Sequence, residues 1–349
     1  MKYAKRLVLT TCIGALIALT FSEAASFRTC NGHKQTWRSD RTTMYINTNS
    51  MPVGSIWDLQ TQYMMHEWNT IKGSNFTYYV GRDTDGSVNT SNGKNEISFL
   101  YKPSESYLGI TNSRYKCYWL FGTKYGYTET DIHLNTRYSW TSHGFTGSNT
   151  GSPYNFQLVM LHELGHALGL LHSDNRPATM NTYYYNGGPN GHYNRVEPHG
   201  DDRYGLRILY PDSSTGRDVS VSRFHNTGGS TSKNIIKTIS GSRTTRLYRG
   251  SQYDLQYTME NLGTQSESVN IRFYISTNSY ISTADTYIGS TTWNMGAGSF
   301  ATATKRITIP TSLASRTYYI GYIIDPYNNI PENDNLNNRV SLLDRITVP

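Results

Sequence analysis

The stretch LHELGHALGLLHS, residues 161–173, places three histidines and one glutamate among small and apolar residues. On a helix, His162 and His166 lie one turn apart, since residues four positions apart are rotated by about 40° and raised by about 6 Å. Their imidazoles can therefore reach one metal ion from the same helix face. The opposite stripe is apolar and is predicted to face a core. It comprises Phe156, Met160, Leu164, Ala167 and Leu168.

A third ligand depends on a chain reversal at Gly169. A continuing helix would carry His172 away from the metal, whereas glycine can adopt a positive φ and turn the chain back. Three neutral imidazoles that leave a fourth position for water are typical of catalytic zinc. Glu163, beside His162, is then predicted to be the general base that takes a proton from zinc-activated water. The alternative is a helix with solvated histidines, which the five fixed positions of the motif disfavour.

The first 26 residues have the pattern of a secretory signal peptide. A basic start precedes the apolar run 7–21, and small residues follow at 22–26. A transmembrane anchor is the alternative, but the run is shorter than the roughly 20 residues that span a bilayer. No transmembrane segment is predicted after signal removal. We therefore expect an exported protein, secreted or attached to the cell surface, and the sequence leaves the periplasm open as a third location.

Removal of the signal would take away Cys12 and leave Cys30 and Cys117. Two cysteines in an exported protein predict one disulfide. Because Cys117 lies in a strand-like run, such a bridge would join the N-terminal arm to a sheet. A competing interpretation keeps Cys30 as a thiolate that blocks a metal.

The chain of 349 residues is long enough for two domains. Part of its formal net charge of +7 lies in the signal, and the charge that remains after signal removal is diffuse, without a Lys/Arg cluster, so no nucleic-acid partner is expected. Residues 27–211 alternate strand-like and helix-like segments, and the polar break at 212–217 reads as a linker. Residues 218–349 show repeated strand patterns without a helix pattern, which predicts an antiparallel β-sandwich.

Individual elements follow from the same patterns. Strands are predicted in the first part at 43–47, 76–80, 96–100 and 127–134, and in the second part at 254–259, 269–276, 301–309, 317–324 and 339–348. One helix is predicted over 53–71, with Ile56, Leu59, Tyr63 and Trp68 close to one face. A second helix is predicted to begin at Ser152 as N-cap, with Pro153 in its first turn.

The run His162–Ser173 resembles the zinc signature of the metzincins, and the serine after the third histidine is similar to the matrixins. The segment 177–180 resembles the Met-turn of that family, which implies that Met180 forms an apolar floor beneath the zinc ligands. Residues 201–210 resemble the final helix of matrixin catalytic domains. For residues 27–211 the resemblance implies an α+β zincin-type catalytic domain, with a twisted mixed sheet and an active-site helix.

The same resemblance implies a substrate site. Tyr184 stands where matrixins place a tyrosine in the pocket for the residue after the cut bond, and the family's proline near it is Thr182 here. An edge strand that pairs with the substrate backbone is best matched by 107–111, so Leu108, Gly109 and Ile110 are candidate substrate-binding residues.

Two features depart from the family. The loop that carries structural zinc and calcium in animal matrixins is not evident, and there is almost no room for a pro-segment before Trp37. Cys30 lacks the family's motif for a metal-blocking cysteine, which favours its disulfide with Cys117.

Residues 245–349 resemble the cell-adhesion-related β-sandwich domain of bacterial surface and secreted proteins, through the segments 247–250, 259–263 and 325–338. Attachment to a surface or matrix ligand, or presentation of a substrate, is the implied role. Asp325, Glu332 and Asp334 are candidate Ca²⁺ ligands, since hard cations need several oxygens. The other interpretation of these residues is tight turns.

Together these patterns predict an exported zinc endopeptidase that cuts protein or peptide substrates and depends on one catalytic Zn²⁺. The alternative is a surface adhesin that keeps a zinc-bearing scaffold without significant turnover. Glu163 argues against the adhesin, because a binding protein does not need a carboxylate at that position.

Overall fold

The structure is a computed structural model that describes residues 25–84, 91–117, 126–142, 153–174, 178–182, 196–214, 216–222, 224–227, 230–233, 235–342 and 344–349. Within this part of the chain, no helix is both long enough and apolar enough to cross a membrane. The described residues fold as two parts, an α+β part and a strand-rich part.

The α+β part contains three helices and eleven strands among its described residues. In chain order they are β1 Ser26–Phe27, β2 Thr29–Cys30, β3 His33–Lys34, β4 Arg41–Asn47, α1 Ile56–Asn69, β5 Thr77–Asp83, β6 Glu96–Leu100, β7 Gly109–Lys116, β8 Gly126–Asn135, β9 Trp140–Thr141, β10 Tyr154–Asn155, α2 Phe156–Leu168, β11 Leu170–Leu171 and α3 Gly200–Leu209. All four strands predicted for this part are confirmed.

Five of these strands form a mixed sheet in the order β5-β4-β6-β8-β7. The first four run parallel to one another, and β7 runs antiparallel to β8 at the edge. Helices α1 and α2 pack against the sheet through a core that includes Met44, Ile97, Ile132 and Leu164, all fully buried. The predicted mixed sheet with an active-site helix is confirmed.

Both predicted helices exist, but details of each prediction are wrong. In α1 the core side is formed by Met64, Met65 and Trp68, while Ile56 and Leu59 are exposed. Tyr63 is exposed as well, so of the four residues predicted to share one face Trp68 alone is buried. The second helix begins at Phe156 rather than beside Pro153, because the residues just before it form β10 in parallel pairing with β9. Ser152 lies outside the described residues.

The strand-rich part contains eleven strands among its described residues. They are β12 Val219–Ser222, β13 Phe224–Thr227, β14 Ser230–Lys233, β15 Ile236–Thr238, β16 Gln252–Asn261, β17 Glu267–Ser276, β18 Thr286–Met295, β19 Phe300–Thr308, β20 Arg316–Ile324, β21 Arg339–Ser341 and β22 Ile346–Val348. Each of the five predicted strands is found, although the last one is divided into β21 and β22.

Two larger antiparallel sheets form the sandwich of this part, and β13 and β14 form a separate antiparallel pair. One has β16 between β19 on one edge and β12 with β15 on the other. The second has the order β18-β17-β20-β21, with β22 also paired to β20. Alternate side chains of both sheets, such as Leu255, Ile271 and Ile320, are fully buried in one shared core. The predicted β-sandwich is confirmed.

The two parts meet at α3. Arg207 is buried and its guanidinium forms an ion pair with Asp218 at 2.5 Å. It also donates to the carbonyls of Lys72 at 2.8 Å and Leu262 at 2.9 Å, so it links both parts. Because a buried guanidinium needs all of these partners, the strand-rich part is packed against the α+β part and not merely tethered to it.

Candidate metal centre

Helix α2 carries two of the histidines, and aromatic side chains from other segments hold it in place. Its N-cap is Asn155, whose side chain accepts a hydrogen bond from the Leu158 amide at 3.2 Å. The apolar stripe predicted from the sequence is fully buried. Four aromatic groups donate to α2 carbonyls: Trp68 to Leu161, Tyr78 to Leu164, Trp37 to Ala167 and Tyr210 to Leu168. These bonds fix the rotation of α2, so His162 and His166 project at set positions.

Gly169 ends the helix in the left-handed region, with φ 106° and ψ 6°. Its amide donates to the carbonyls of Gly165 and His166, which closes the last turn. A Cβ at this position would lie 2.9 Å from the Gln35 carbonyl oxygen, so glycine is needed for space as well as for φ. The chain then reverses into β11, which pairs with β1. The reversal returns His172 toward α2, as predicted.

Three imidazoles meet at the open side of α2. The ring centroids of His162, His166 and His172 lie 4.7, 5.2 and 4.8 Å apart. The Nε2 atoms of His166 and His172 are separated by 3.1 Å. In tetrahedral coordination at about 2.0–2.1 Å, two nitrogens would lie about 3.3 Å apart. The spacing of these rings therefore suits one shared ion.

The other ring nitrogens are already engaged. His162 Nδ1 lies 2.8 Å from the Thr179 carbonyl oxygen, and His166 Nδ1 lies 2.8 Å from the Leu170 carbonyl oxygen. Each Nδ1 therefore carries the proton and donates it, which leaves Nε2 with a free lone pair. Burial lowers the pKa of His162 to about 4, and burial together with His162 lowers the pKa of His166 to about 3. Neutral imidazoles of this kind are ready to bind a cation. Among the described residues, these three histidines form the one group with metal-ligand spacing.

Glu163 lies beside the imidazoles under the edge strand. Its side chain is buried, and the Thr111 hydroxyl contacts its Oε2 at 2.7 Å and its backbone carbonyl oxygen at 2.9 Å. Burial raises the pKa of Glu163 to about 7, and the bond from Thr111 opposes that rise. A Cβ on Gly109 would come within 2.8 Å of Glu163 Oε1, so the backbone of β7 passes directly over this carboxyl group. The site thus combines a potential base with a close strand.

A turn at Met180 packs against helix α2 next to the histidines. Met180 is buried against Gly165 of α2, where a Cβ would meet its sulfur at 2.3 Å. Asp202, in the first turn of α3, accepts hydrogen bonds from the amides of Thr179 at 2.6 Å and Met180 at 3.1 Å. Since the Thr179 carbonyl holds His162, this carboxylate positions a histidine through the turn.

A cleft of about 790 Å³ runs between β7 and α2, across the three histidines. The three candidate substrate-binding residues Leu108, Gly109 and Ile110 all line it. Gly109 and Ile110 belong to β7, the edge strand of the mixed sheet, so an edge that pairs with no other strand among the described residues lies along the cleft. Thr182 also lines the cleft, while Tyr184 lies outside the described residues.

Cys30 and Cys117 are joined in a disulfide. The bridge connects the N-terminal arm to the residue that follows β7. With both sulfurs bonded to each other, the structure leaves no Cys30 thiolate to occupy the metal position.

Comparison with known families agrees with this geometry. Residues 62–211 match the family model described as Matrixin, and residues 235–342 match the model described as CARDB. The chain carries a matrixin domain followed by a CARDB domain. Both resemblances predicted from the sequence are confirmed by these matches.

Three curated relatives are similar to part of the matrixin domain. Matrix metalloproteinase-2 of Drosophila melanogaster is 39% identical over 80 residues, which are 23% of this chain and 10% of that protein. Matrix metalloproteinase-25 of Homo sapiens is 38% identical over 80 residues, or 23% of this chain and 13% of that protein. The hatching enzyme of Paracentrotus lividus is 36% identical over 93 residues, or 27% of this chain and 14% of that protein. The shared segment is thus a small share of each relative.

Among solved structures, the crystal structure of a CARDB domain from Pyrococcus furiosus is 18% identical and covers 38% of this chain and 90% of that chain, with a TM-score of 0.26. A solution NMR structure of a CARDB domain from the same organism is 19% identical and covers 39% of this chain and 97% of that chain, with a TM-score of 0.27.

The three candidate Ca²⁺ ligands of the CARDB domain have separate contacts in the structure. Asp325 accepts the amides of Asn329 and Ile330, which is the tight-turn role. Glu332 accepts the Val219 amide at 2.6 Å. Asp334 forms an ion pair with Arg203 of the matrixin domain at 2.7 Å. Within the described residues the three carboxylates do not converge as a ligand set.

Sequence reasoning missed two residues that shape the site of the matrixin domain. The sequence pattern indicates Thr111 only as the end of an edge strand, although its hydroxyl contacts Glu163. The sequence pattern indicates Asp202 only as part of the final helix, although its carboxylate accepts the amide of Met180. Neither contact has a local signal, because 52 and 22 residues separate the partners.

Proposed function

We propose that the chain is a zinc-dependent endopeptidase, with His162, His166 and His172 as zinc ligands and Glu163 as general base. The observation that carries this proposal is the convergence of three imidazoles beside a buried carboxyl group at the floor of an open cleft. The matrixin domain and its relatives named matrix metalloproteinases support it. Met180 supports the ligands from below.

The edge strand β7 positions the substrate in this proposal. A peptide backbone that pairs with the free edge at Leu108, Gly109 and Ile110 is held mainly by main-chain hydrogen bonds. Such pairing places the peptide along the cleft, with a carbonyl carbon above the histidines. Side chains of the peptide then alternate between the cleft and solvent, so the proposal allows varied sequences.

Zinc bound by the three imidazoles would lower the pKa of a coordinated water and polarise the substrate carbonyl. Glu163 accepts the proton of the attacking water at Oε1, the oxygen that Thr111 does not hold. It then delivers this proton to the nitrogen of the departing amine. The buried surroundings that raise its pKa also make protonated Glu163 a competent acid for that second transfer.

The remaining parts of the proposal concern export and attachment. Residues 1–26 act as a signal peptide, residues 27–211 as the catalytic domain, 212–217 as linker and 218–349 as the β-sandwich that binds a surface or matrix ligand. The disulfide between Cys30 and Cys117 is in keeping with an oxidising compartment. Of the signal peptide, residues 1–24 lie outside the described part of the chain.

The test is to express residues 27–349 with zinc and to compare them with the Glu163→Gln variant on a quenched fluorogenic peptide pool. Loss of the base should lower kcat/KM by about 10²–10⁴ while zinc content stays the same. Glu67→Gln is the matched control, since Glu67 is also a buried glutamate of this domain but does not line the cleft. Equal cleavage by wild type and Glu163→Gln would reject the general base. A zinc-loaded wild type without cleavage would favour the adhesin that keeps only the scaffold.

A further inference from the structure

One end of the cleft carries a positive charge that the proposed reaction does not use. Among the described residues that line the cleft, Arg28 is the one Lys or Arg, and Glu163 is the one Asp or Glu. Arg28 lies near the C-terminal end of β7, where Ser26, Ser113 and His166 also line the cleft. The end of the cleft is therefore cationic.

The N-terminal arm fixes Arg28 at this position. The Arg28 amide donates to the Gly169 carbonyl at 3.0 Å, and the Arg28 carbonyl accepts from the Gln35 amide at 2.8 Å. The guanidinium carbon lies 5.4 Å from the ring centroid of Tyr115 on β7. The disulfide from Cys30 to Cys117 follows two residues after both Arg28 and Tyr115, and it holds the arm against the strand.

No ion pair within the described part of the chain engages this guanidinium, whereas the arginines that join the two domains have carboxylate partners. Arg28 is half-buried, which limits screening by solvent. The guanidinium is also close enough to the Tyr127 hydroxyl to oppose the rise that burial causes in the pKa of that tyrosine. Its other N–H groups match a carboxylate in geometry and charge. An acidic side chain of a bound peptide is the ligand that suits it.

The direction of β7 places this side chain relative to the cut bond. Antiparallel pairing is the more stable arrangement of added strands. A peptide antiparallel to β7 has its N-terminal residues beside the C-terminal end of the strand, near Arg28. Tyr115 is four residues beyond Thr111, which contacts Glu163. Because strands rise about 3.3 Å per residue, Tyr115 lies about 13 Å farther along β7.

We infer that Arg28 is a specificity-determining residue that selects peptides with Asp or Glu about two to four residues before the cut bond. This inference rests on the proposed peptidase function, because the position of the acidic residue is counted from the bond that is cut. It concerns the substrate class of that same cleft.

The experiment measures binding and turnover separately. From the quenched fluorogenic peptide pool, the peptide that is cut fastest, or the one that binds best, is made in three forms. These carry Glu, Gln or Lys at the third position before the cut bond. Binding to the zinc-loaded Glu163→Gln variant is measured by fluorescence polarisation, and kcat/KM is measured with wild type. The Glu form should bind about fivefold more tightly than the Gln form, and the margin over Lys should be larger. Added salt should reduce the preference.

Variants at Arg28 decide the inference. Arg28→Gln is made both in wild type and in the Glu163→Gln variant, and it should make the three peptides bind alike. Arg28→Glu should reverse the preference, so that the Lys peptide binds best. Arg114→Ala is the control, because Arg114 belongs to β7 but does not line the cleft. It should leave the preference intact. Equal binding of the three peptides to the zinc-loaded parent, or a preference that survives Arg28→Gln, would overturn the inference. An acidic preference in binding without any cleavage would retain the inference and reject the peptidase.

Discussion

Replacing Gly169 with alanine should both destabilise the matrixin domain and weaken zinc binding. The left-handed backbone at this position costs a residue with a Cβ about 1–2 kcal/mol. The added methyl group would also lie 2.9 Å from the Gln35 carbonyl oxygen and 3.3 Å from the Tyr127 ring. Relief of such crowding typically costs about 1–3 kcal/mol more. The free energy of unfolding should therefore fall by about 2–5 kcal/mol.

Relief of these contacts must move β11, and β11 leads directly to His172. We expect the third imidazole to lose its position, with a fall in zinc affinity of about 10–100-fold, the range seen when the supports of metal ligands are removed. Unfolding in urea of the metal-free protein measures the free energy of unfolding. Competition with a chelator measures the zinc affinity.

Gly241→Ala is the matched control for this prediction. Gly241 also has a positive φ, of 93°, but a Cβ there would meet nothing within 4 Å. In the control the free energy of unfolding should fall only by the roughly 1–2 kcal/mol that a Cβ costs at a positive φ, and the zinc affinity should not change. Our reasoning is refuted if Gly169→Ala costs no more than Gly241→Ala and binds zinc as wild type does.

Two further predictions concern the junction of the domains and the CARDB domain. Arg207→Met should lower the free energy of unfolding, measured in urea, by about 3–5 kcal/mol, because it leaves the buried carboxylate of Asp218 without its partner. A second change, Asp218→Asn, should recover part of that loss. Burial raises the pKa of Glu332 to about 8, although Val219 and Asn338 donate to its carboxylate. The folded state thus holds this proton more tightly than the unfolded state. The stability that the bound proton contributes to the folded state is complete below about pH 4.5 and is lost as pH rises through about 8. Since the group is partly exposed, stability should fall by about 1 kcal/mol between roughly pH 5 and pH 8, and Glu332→Gln should remove this slope in thermal melts.

Two outcomes would contradict these predictions. A loss below about 1 kcal/mol in Arg207→Met would show that the junction between the domains contributes little to stability. A pH profile that is the same in wild type and Glu332→Gln would show that Glu332 is ionised in the folded state over the whole range.

The sequence could predict the histidines, Glu163 and the strands because their signals are local. Three of the five positions of the zinc motif lie on one helix, the fourth is the glycine with a positive φ that ends this helix, and the reversal at that glycine leads to the fifth. The strand over 96–100 has the bounds predicted from its β-branched and aromatic run. Such features need no knowledge of distant segments.

Other features could not be predicted, since they depend on contacts between distant residues. Strand β18 has Gly289 and several small polar residues, and its pairing with β17 forms it despite a weak local pattern. The buried face of α1 follows from packing against α2, where Trp68 donates to Leu161 across 93 residues. Arg28 reaches the cleft only because its amide bonds to Gly169, far along the chain.

The most direct test of the central claim is zinc analysis of purified, folded residues 27–349, combined with X-ray absorption at the zinc edge. We predict one zinc per chain, with three imidazole nitrogens at about 2.0–2.1 Å, and loss of that zinc in a variant with His162, His166 and His172 all replaced by alanine. Well-folded protein that binds no zinc, or that keeps its zinc after these replacements, would contradict the account.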